Sequence, residues 1–541
     1  MWNNQTVGFA EIVNEGFVKT SYFKAIIPAL LATILTAGIA SAGTELHMSN
    51  DFSATFNDVN GQGSGQSSLS QGFRYLDVLN VYANGTAGGY DYFLKAGGKA
   101  TDDPRNDMRH FSLTNLNARV TNKIHTVNLG DTFESFSQYA LATAVKGGSY
   151  RYSNPTGNSP EVTLVYGIAY PRWDNFYDID AVERQVMGGK IRQVLAEGFW
   201  AGFSGVRTLD HYRLSGSSLF DNRNWTGDFE YRPIPGLTMA GEASFSSTEE
   251  SGASGLVTTY AGHALRFEAV GDSDPSRVTL EYERVSPRFL TLAGSATPDR
   301  EKVKSRWRYK YSKDTTINLG FLWYRDNLDG QKAFGTDHYK PEAGITVNRL
   351  YGRQYASVGL SYKLDNSHNR TSNAWDHYVN LNYRDRFGSA DSDTNIGIAK
   401  YDTKSVRRAS EFTYNTSLSG RSTVGIFIFK PALYLGGWSS RDDLTDKNDQ
   451  IYEYSLGLGA EVPRIKLTLN LKGGQNRLKK DGGTSSTKSF VSLNMFYRPG
   501  FLEKLNQGML FLRAGINDFG FSARGRDFRE TSVTAGLNIQ I

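Results

Sequence analysis

The sequence predicts an all-β chain, a large antiparallel up-and-down transmembrane β-barrel, and three observations lead there. Residues 305–326, SRWRYKYSKDTTINLGFLWYRD, alternate two chemistries with a period of two. Connections along the chain alternate between long and short. Many strand-like segments run to about nine to eleven residues, the length that crosses a bilayer at a tilt.

The alternation comes first because it assigns the two faces. Successive side chains leave a strand on opposite sides. Trp307, Tyr309 and Tyr311 therefore share one face, and Arg306, Arg308 and Lys310 share the other. After the turn Ser312-Lys313-Asp314-Thr315 the pattern resumes, with Ile317, Leu319, Phe321 and Trp323 opposing Asn318 and Gly320. A Lys or Arg facing lipid near the bilayer midplane costs roughly 2–4 kcal/mol. Three on one strand would cost about 6–12 kcal/mol, comparable with the whole stability of a domain. The reverse orientation places aromatic rings in lipid and its interface, where they are favourable. The expectation is thus that Trp307, Tyr309, Tyr311, Leu319, Phe321 and Trp323 face lipid and the cations face water inside the barrel.

Taken in order, the chain opens with a long apolar run at residues 23–43, FKAIIPALLATILTAGIASAG, flanked by Lys24 and ending Ala40-Ser41-Ala42 before Gly43. This is the pattern of a signal peptide cleaved between Ala42 and Gly43. Residues 1–42 are read as that peptide, with translation beginning near Val18, and 43–541 as the barrel. Export to the outer membrane of a Gram-negative bacterium follows. The stretch Asn50–Gly72 contains NGQGSGQSSLSQG and reads as a mobile polar loop. Residues 182–195 read as a strand, because Gly188-Gly189 weakens their helical spacing.

From 278 to 402 the alternation of connections is clearest. Val278, Leu280 and Tyr282 oppose Glu281 and Glu283; a long loop at 286–303 precedes the quoted hairpin; another at 326–341 follows it. Segments 343–350 and 354–363 join tightly, and a polar loop at 365–373 leads on to 375–384. Short turns at one end and long loops at the other are a barrel feature. A soluble β-sandwich would have strands of about five or six residues packed apolar face to apolar face. The segment count gives about 24 strands, within a range of roughly 20 to 26.

In the C-terminal part, Ile465, Leu467, Leu469 and Leu471 oppose Lys466, Thr468, Asn470 and Lys472. The last ten residues, SVTAGLNIQI, alternate to the end, with Val533, Ala535, Leu537, Ile539 and Ile541 on one face. This strand resembles the terminal strand of bacterial outer-membrane β-barrels, which implies recognition by the barrel assembly machinery. Those strands usually end in an aromatic residue, where Ile541 stands here. Residues 127–152, VNLGDTFESFSQYALATAVKGGSYRY, break simple alternation at Gly130-Asp131, Phe133, Phe136 and Gly147-Gly148. They read as a bulged strand or a constriction folded inward. The segment resembles the glycine-aspartate strand segment of fimbrial ushers. The chain leaves no room for the usher's accessory domains, and that function is not carried over.

Composition narrows the function. The 541 residues carry 60 Lys+Arg against 55 Asp+Glu, so no global charge points to nucleic acid. A mean hydropathy of −0.45 is compatible with a membrane barrel, whose strands are apolar only at alternate positions. There is no cysteine, hence no disulfide, thiolate metal site or covalent haem site in this chain. No phosphate-binding loop or metalloprotease motif occurs.

Asp-His-Tyr occurs three times, at 210–212, 337–339 and 376–378, using three of eight histidines. These are interfacial polar and aromatic residues at strand–loop junctions, with a metal site or hydrolase as the rival reading. The leading expectation is a channel for hydrophilic solutes or ions, lined by Arg306, Arg308, Lys310, Lys466, Lys472, Glu281 and Glu283. The alternative is a sheath, similar in size class to the barrel partner of porin–cytochrome electron conduits. That resemblance implies a multihaem cytochrome in the lumen, which would supply all of the haem.

Overall fold

The computed structural model describes residues 44–541, except 155–158, 177–179, 212–215, 404–405 and 503–507. The predicted signal peptide and its Ala42–Gly43 cleavage site lie outside the described residues. The chain runs through β1 (Glu45–Asn60), β2 (Gly72–Ala87), β3 (Tyr90–Thr101), β4 (Phe111–Thr121), β5 (His125–Phe133), β6 (Ala144–Tyr152), β7 (Glu161–Ile168), β8 (Arg184–Ala196) and β9 (Phe199–Asp210). It continues with β10 (Leu219–Ile234), β11 (Leu237–Ser251), β12 (Val257–Ser273), β13 (Ser276–Val285), β14 (Arg300–Lys310), β15 (Thr315–Asp326), β16 (Asp337–Asn348), β17 (Ser357–His368) and β18 (Asn373–Phe387). The last third holds β19 (Ala390–Thr403), β20 (Arg407–Gly420), β21 (Ser422–Val424), β22 (Phe427–Asp442), β23 (Lys447–Val462), β24 (Leu467–Lys479), β25 (Ser486–Tyr497), β26 (Met509–Phe521) and β27 (Phe528–Gln540).

Each strand pairs antiparallel with its sequence neighbours, and β1 pairs with β27 from Ser49↔Gln540 to Asn60↔Arg529. The sheet therefore closes on itself. The short β21 continues β20 past Arg421 against the same partner, β22, so the wall has 26 positions. That is the upper end of the expected range. Closure leaves the sheet without a free edge strand, which a strand in hydrocarbon requires. Even the last residue takes part, since Ile541 and Met48 exchange backbone hydrogen bonds of 2.8 and 2.9 Å.

The alternation of connections holds round the wall. Residues 88–89, 197–198, 235–236, 274–275 and 388–389 make two-residue turns at one end. At the other end lie connections such as 61–71, 169–183 and 286–299. Strands of up to 17 residues (β12) exceed the length needed to span. Their excess carries the wall beyond the bilayer.

Residues directly opposed in an antiparallel pair share a face. Trp307 opposes Val278 and Leu319, and Phe321 opposes Ser305, on a face of exposed apolar side chains. Val285 belongs to the other face, and it is 1% exposed beneath chain folded inside the barrel.

Two expectations need correction here. Residues Asn50–Asn60 are strand, not loop, because Phe52 and Phe56 alternate with Asp51, Ser53 and Thr55 against β27. The remaining 61–71 segment is tied down. Ser67 Oγ donates to Glu530 at 2.7 Å, Ser70 Oγ donates to Asp103 at 2.7 Å, and Gly63 N bonds Asp527 O at 3.0 Å. Its glycines permit that close approach: a Cβ on Gly63 would collide with the Arg526 carbonyl.

Candidate functional site

The lumen wall carries charged residues, and β12–β14 hold a ladder of ion pairs. Glu281 opposes Lys304 and Glu283 opposes Lys302 across the β13–β14 pair. Lys302 Nζ lies 2.9 Å from Glu281 and 2.5 Å from Glu283, and Arg266 Nε lies 3.7 Å from Glu281. One strand register further, Arg306 faces Thr279 and Arg308 faces Arg277. No carboxylate among the described residues lies within ion-pair distance of Arg306 or Arg308; the Glu342 side chain leans over Gly320, directly across from Arg306. Lys310 pairs with Asp274 of the adjacent turn at 2.8 Å.

Lys472 shares a face with Gly457 and Ser492, with its ammonium 5.7 Å from the Phe490 ring centroid. Lys466 is not on a strand. It closes the turn at 463–466 with φ 52°, because Pro463 starts a short helical turn and β24 begins only at Leu467. Tyr311 likewise lies in the turn after β14, whereas Trp307, Tyr309, Leu319, Phe321 and Trp323 stand on the face opposite Arg306.

Two connections fold into the barrel. The first, residues 134–143, follows β5 and is the stretch whose alternation breaks in sequence. Phe136, Ala140 and Leu141 are buried against Val145, Val165, Val186 and Val206 of β6–β9. The second is 286–299, whose Phe289 and Ala293 are both 1% exposed. The two segments bind each other through Ala142 N to Ala293 O and Ser295 N to Gln138 O, both 2.7 Å. Tyr139 centres the contact. Its ring meets Phe289 edge-on at 5.7 Å, its hydroxyl donates to Glu283 at 2.8 Å, and its amide donates to Glu242 at 2.8 Å. Burial, and then the hydrogen bond to the Glu283 carboxylate, push the Tyr139 phenol far above its ordinary range.

Small polar residues of the wall receive the second segment: Asn222 donates to Leu290 O at 2.9 Å, and Leu290 N donates to Ser246 at 3.2 Å. Both buried apolar clusters lie against β6–β13. The inner face from β14 round to β3 is left uncovered by them. The outward end of 286–299 is fixed by Asp299, which accepts from Leu328 N at 2.7 Å and pairs with Lys332 at 2.5 Å. Burial alone would raise the Asp299 pKa, but Lys332 and the 327–328 amides hold it below the usual carboxylate range.

The departure of β5 from β4 leaves a seam. β4 and β5 pair only from Asn117↔Gly130 to Thr121↔Thr126. Gly130 has φ +95°, and a Cβ there would strike the Leu116 carbonyl, so glycine permits the departure. Asp131 then fastens the seam. It accepts from Leu116 N at 2.7 Å, Lys146 Nζ at 3.0 Å and Trp173 Nε1 at 2.9 Å. Trp173 belongs to the 169–183 connection, and its ring covers the Lys146 ammonium at 5.2 Å. Arg109 anchors the same connection through Asp180 at 2.9 Å, a bond that lowers the Asp180 pKa.

The Asp-His-Tyr triplets do not form one site. Asp210 is held by Arg184 at 2.8 and 2.9 Å. His338 stacks on Tyr324 at 4.2 Å, on the face of Lys302. His377 bonds Tyr362 at 3.0 Å on the opposite face. Tyr212 lies outside the described residues. Among the described residues, no group of three His, Asp or Glu is placed to hold a metal ion.

The closed wall, apolar outside and charged within, defines a large outer-membrane type of β-barrel. Solved structures of that class are similar to this chain in fold. The translocation pore of the P pilus usher PapC is 9% identical, with 92% of this chain and 100% of that one covered and a TM-score of 0.44. The FrpB iron transporter from Neisseria meningitidis is 9% identical over 94% and 82% of the two chains, TM-score 0.41. OpdL of Pseudomonas aeruginosa is 11% identical over 67% and 99%, TM-score 0.33. No family model and no curated protein matches the chain. At these identities the likeness concerns the fold alone.

Proposed function

We propose that this protein is an outer-membrane channel for hydrophilic solutes or ions, whose bore is narrowed on one side by its own chain. The carrying observation is the two segments, 134–143 and 286–299, packed against the inner wall of β6–β13, while no residue of β14–β27 belongs to either buried cluster. A strand spacing of about 4.8 Å and a tilt of about 40° give a wall roughly 50 Å across between backbones. Barrels of 16–18 strands already leave an aqueous channel, so a wider wall needs internal chain to limit its bore. Arg306 and Arg308, without carboxylate partners, bias that bore toward anions. Membrane lipid outside and the barrel assembly machinery at β27 complete the expected partners.

The uncovered sector also favours a second reading, a sheath around a multihaem cytochrome that supplies the haem. Planar-bilayer recording separates the two. Stable large openings from the purified chain support the free channel. A folded but silent barrel refutes it, and haem absorbance in the complex extracted from native membranes would then support the sheath. No hydrolytic activity is proposed, because His338 and His377 face opposite sides of the wall.

A further inference from the structure

A second feature lies where β5 leaves β4. A cavity of about 180 Å³ opens on the inner side of the seam. Its polar lining is Asn117 and Arg119 from β4, Thr126, Asn128, Asp131 and Thr132 from β5, Glu134 from the inward segment, and Arg151 from β6, with the Asp131 carboxylate already taken by Lys146 and Trp173. Register explains the convergence, since Arg119 opposes Asn128, Asn128 opposes Ser149, and Thr126 opposes Arg151. The inward turn after Phe133 then brings Glu134 back over the same face. Arg151 pairs with Glu134 at 2.6 Å, and Ser149 donates to Glu134 at 2.8 Å. Asn128 donates to Ser149 at 3.0 Å, and Asn117 donates to the Asp131 carbonyl at 2.7 Å.

Two groups remain without partners among the described residues. The Thr132 hydroxyl is buried, in a residue 1% exposed, and makes no hydrogen bond. The Arg119 guanidinium, at the solvent-open side, has no ion pair among those present. That hydroxyl is closed even to water, so the guanidinium is the group left open to a ligand.

We infer that this cavity binds a six-membered-ring polyol carrying one acid group, of the uronic acid class. The size argues for one ring, since an apolar cavity of about 150 Å³ holds a benzene. The lining argues for hydroxyls, because amides, a hydroxyl and a carboxylate–guanidinium pair offer both donors and acceptors. The spare guanidinium argues for the acid, which its planar fork meets with two parallel hydrogen bonds.

The test is isothermal titration of the full-length folded barrel in detergent with glucuronate, glucose and benzoate. Glucuronate is expected to bind at least tenfold more tightly than either. Arg119→Gln should abolish its advantage over glucose, and Arg119→Lys should restore part of it. Absence of glucuronate binding to the folded wild-type barrel would overturn the inference. So would equal glucuronate affinity in Arg119→Gln. Binding is read without current, so a chain that binds glucuronate yet never conducts would refute the channel and leave this site standing.

Discussion

Replacing Tyr139 by Ala removes the side chain that joins both inward segments to the wall. The residue is fully buried, packs on Phe289 and donates to Glu283. Truncating a buried aromatic costs about 3–5 kcal/mol, and loss of a hydrogen bond to a carboxylate adds about 1 kcal/mol. Glu283 keeps Lys302 and Gln138, so the second cost stays small. The sum, about 4–6 kcal/mol, shifts the balance between docked and undocked segments by three to four powers of ten. The wall is held by its own ladder and does not depend on Tyr139. The variant should therefore migrate as a folded barrel on unheated gels, conduct more than the wild type, and be cut by added protease within 134–143 or 286–299. Wild-type conductance together with wild-type protease resistance would refute the view that these segments set the bore.

The same tyrosine confers a pH dependence. Its folded pKa is raised, so the docked state retains a proton that the undocked state loses above about pH 10. Stability of docking is complete below that pH and falls as pH rises, so conductance should increase above pH 10 in the wild type and much less in Tyr139→Phe. Asp299 has the opposite sign: its lowered pKa contributes stability above about pH 4 that is lost as pH falls. Asp299→Asn keeps a residue tolerant of its positive φ of 60° and should abolish the acid-induced protease sensitivity of 286–299 by making it constitutive. Asp131→Ala should lower the thermal midpoint of the barrel, at a cost of about 3 kcal/mol, because three donors including the Lys146 ammonium lose their acceptor. An unchanged midpoint would mean that β4 and β5 are held together elsewhere.

Period two made the wall readable. Each strand reports its own two faces, so Trp307 and Arg306 could be separated from the sequence without knowing their neighbours. The inward segment at 134–143 was visible as a failure of that pattern, with Gly130-Asp131 marking where β5 leaves β4; Gly147-Gly148 stay paired on both sides within the wall. The 286–299 segment was not recognised as internal. Its signal was an apolar run, Phe289-Leu290 and Leu292-Ala293, in a connection expected to meet water. Where such a loop goes depends on partners such as Tyr139 and Glu283, 144 residues apart, and no local pattern encodes that pairing. Lys466 was misplaced because alternation was carried two residues ahead of Leu467, into a turn that Pro463 initiates. The seam depends on the Trp173–Asp131 contact, which likewise joins residues without a shared local pattern.

The pairing of Ser49 with Gln540 and of Met48 with Ile541 has a bearing on biosynthesis. β1 and β27 are far apart in the sequence, so the cylinder closes only once both have been delivered to the same place in the membrane. Until they meet, β1 and β27 both present open hydrogen-bonding rims, each a template for aggregation. Premature termination before Phe528 would thus leave a sheet with two free borders rather than a slightly smaller barrel. A peptide appended after Ile541 would emerge beside Met48, at the very joint that must be made last.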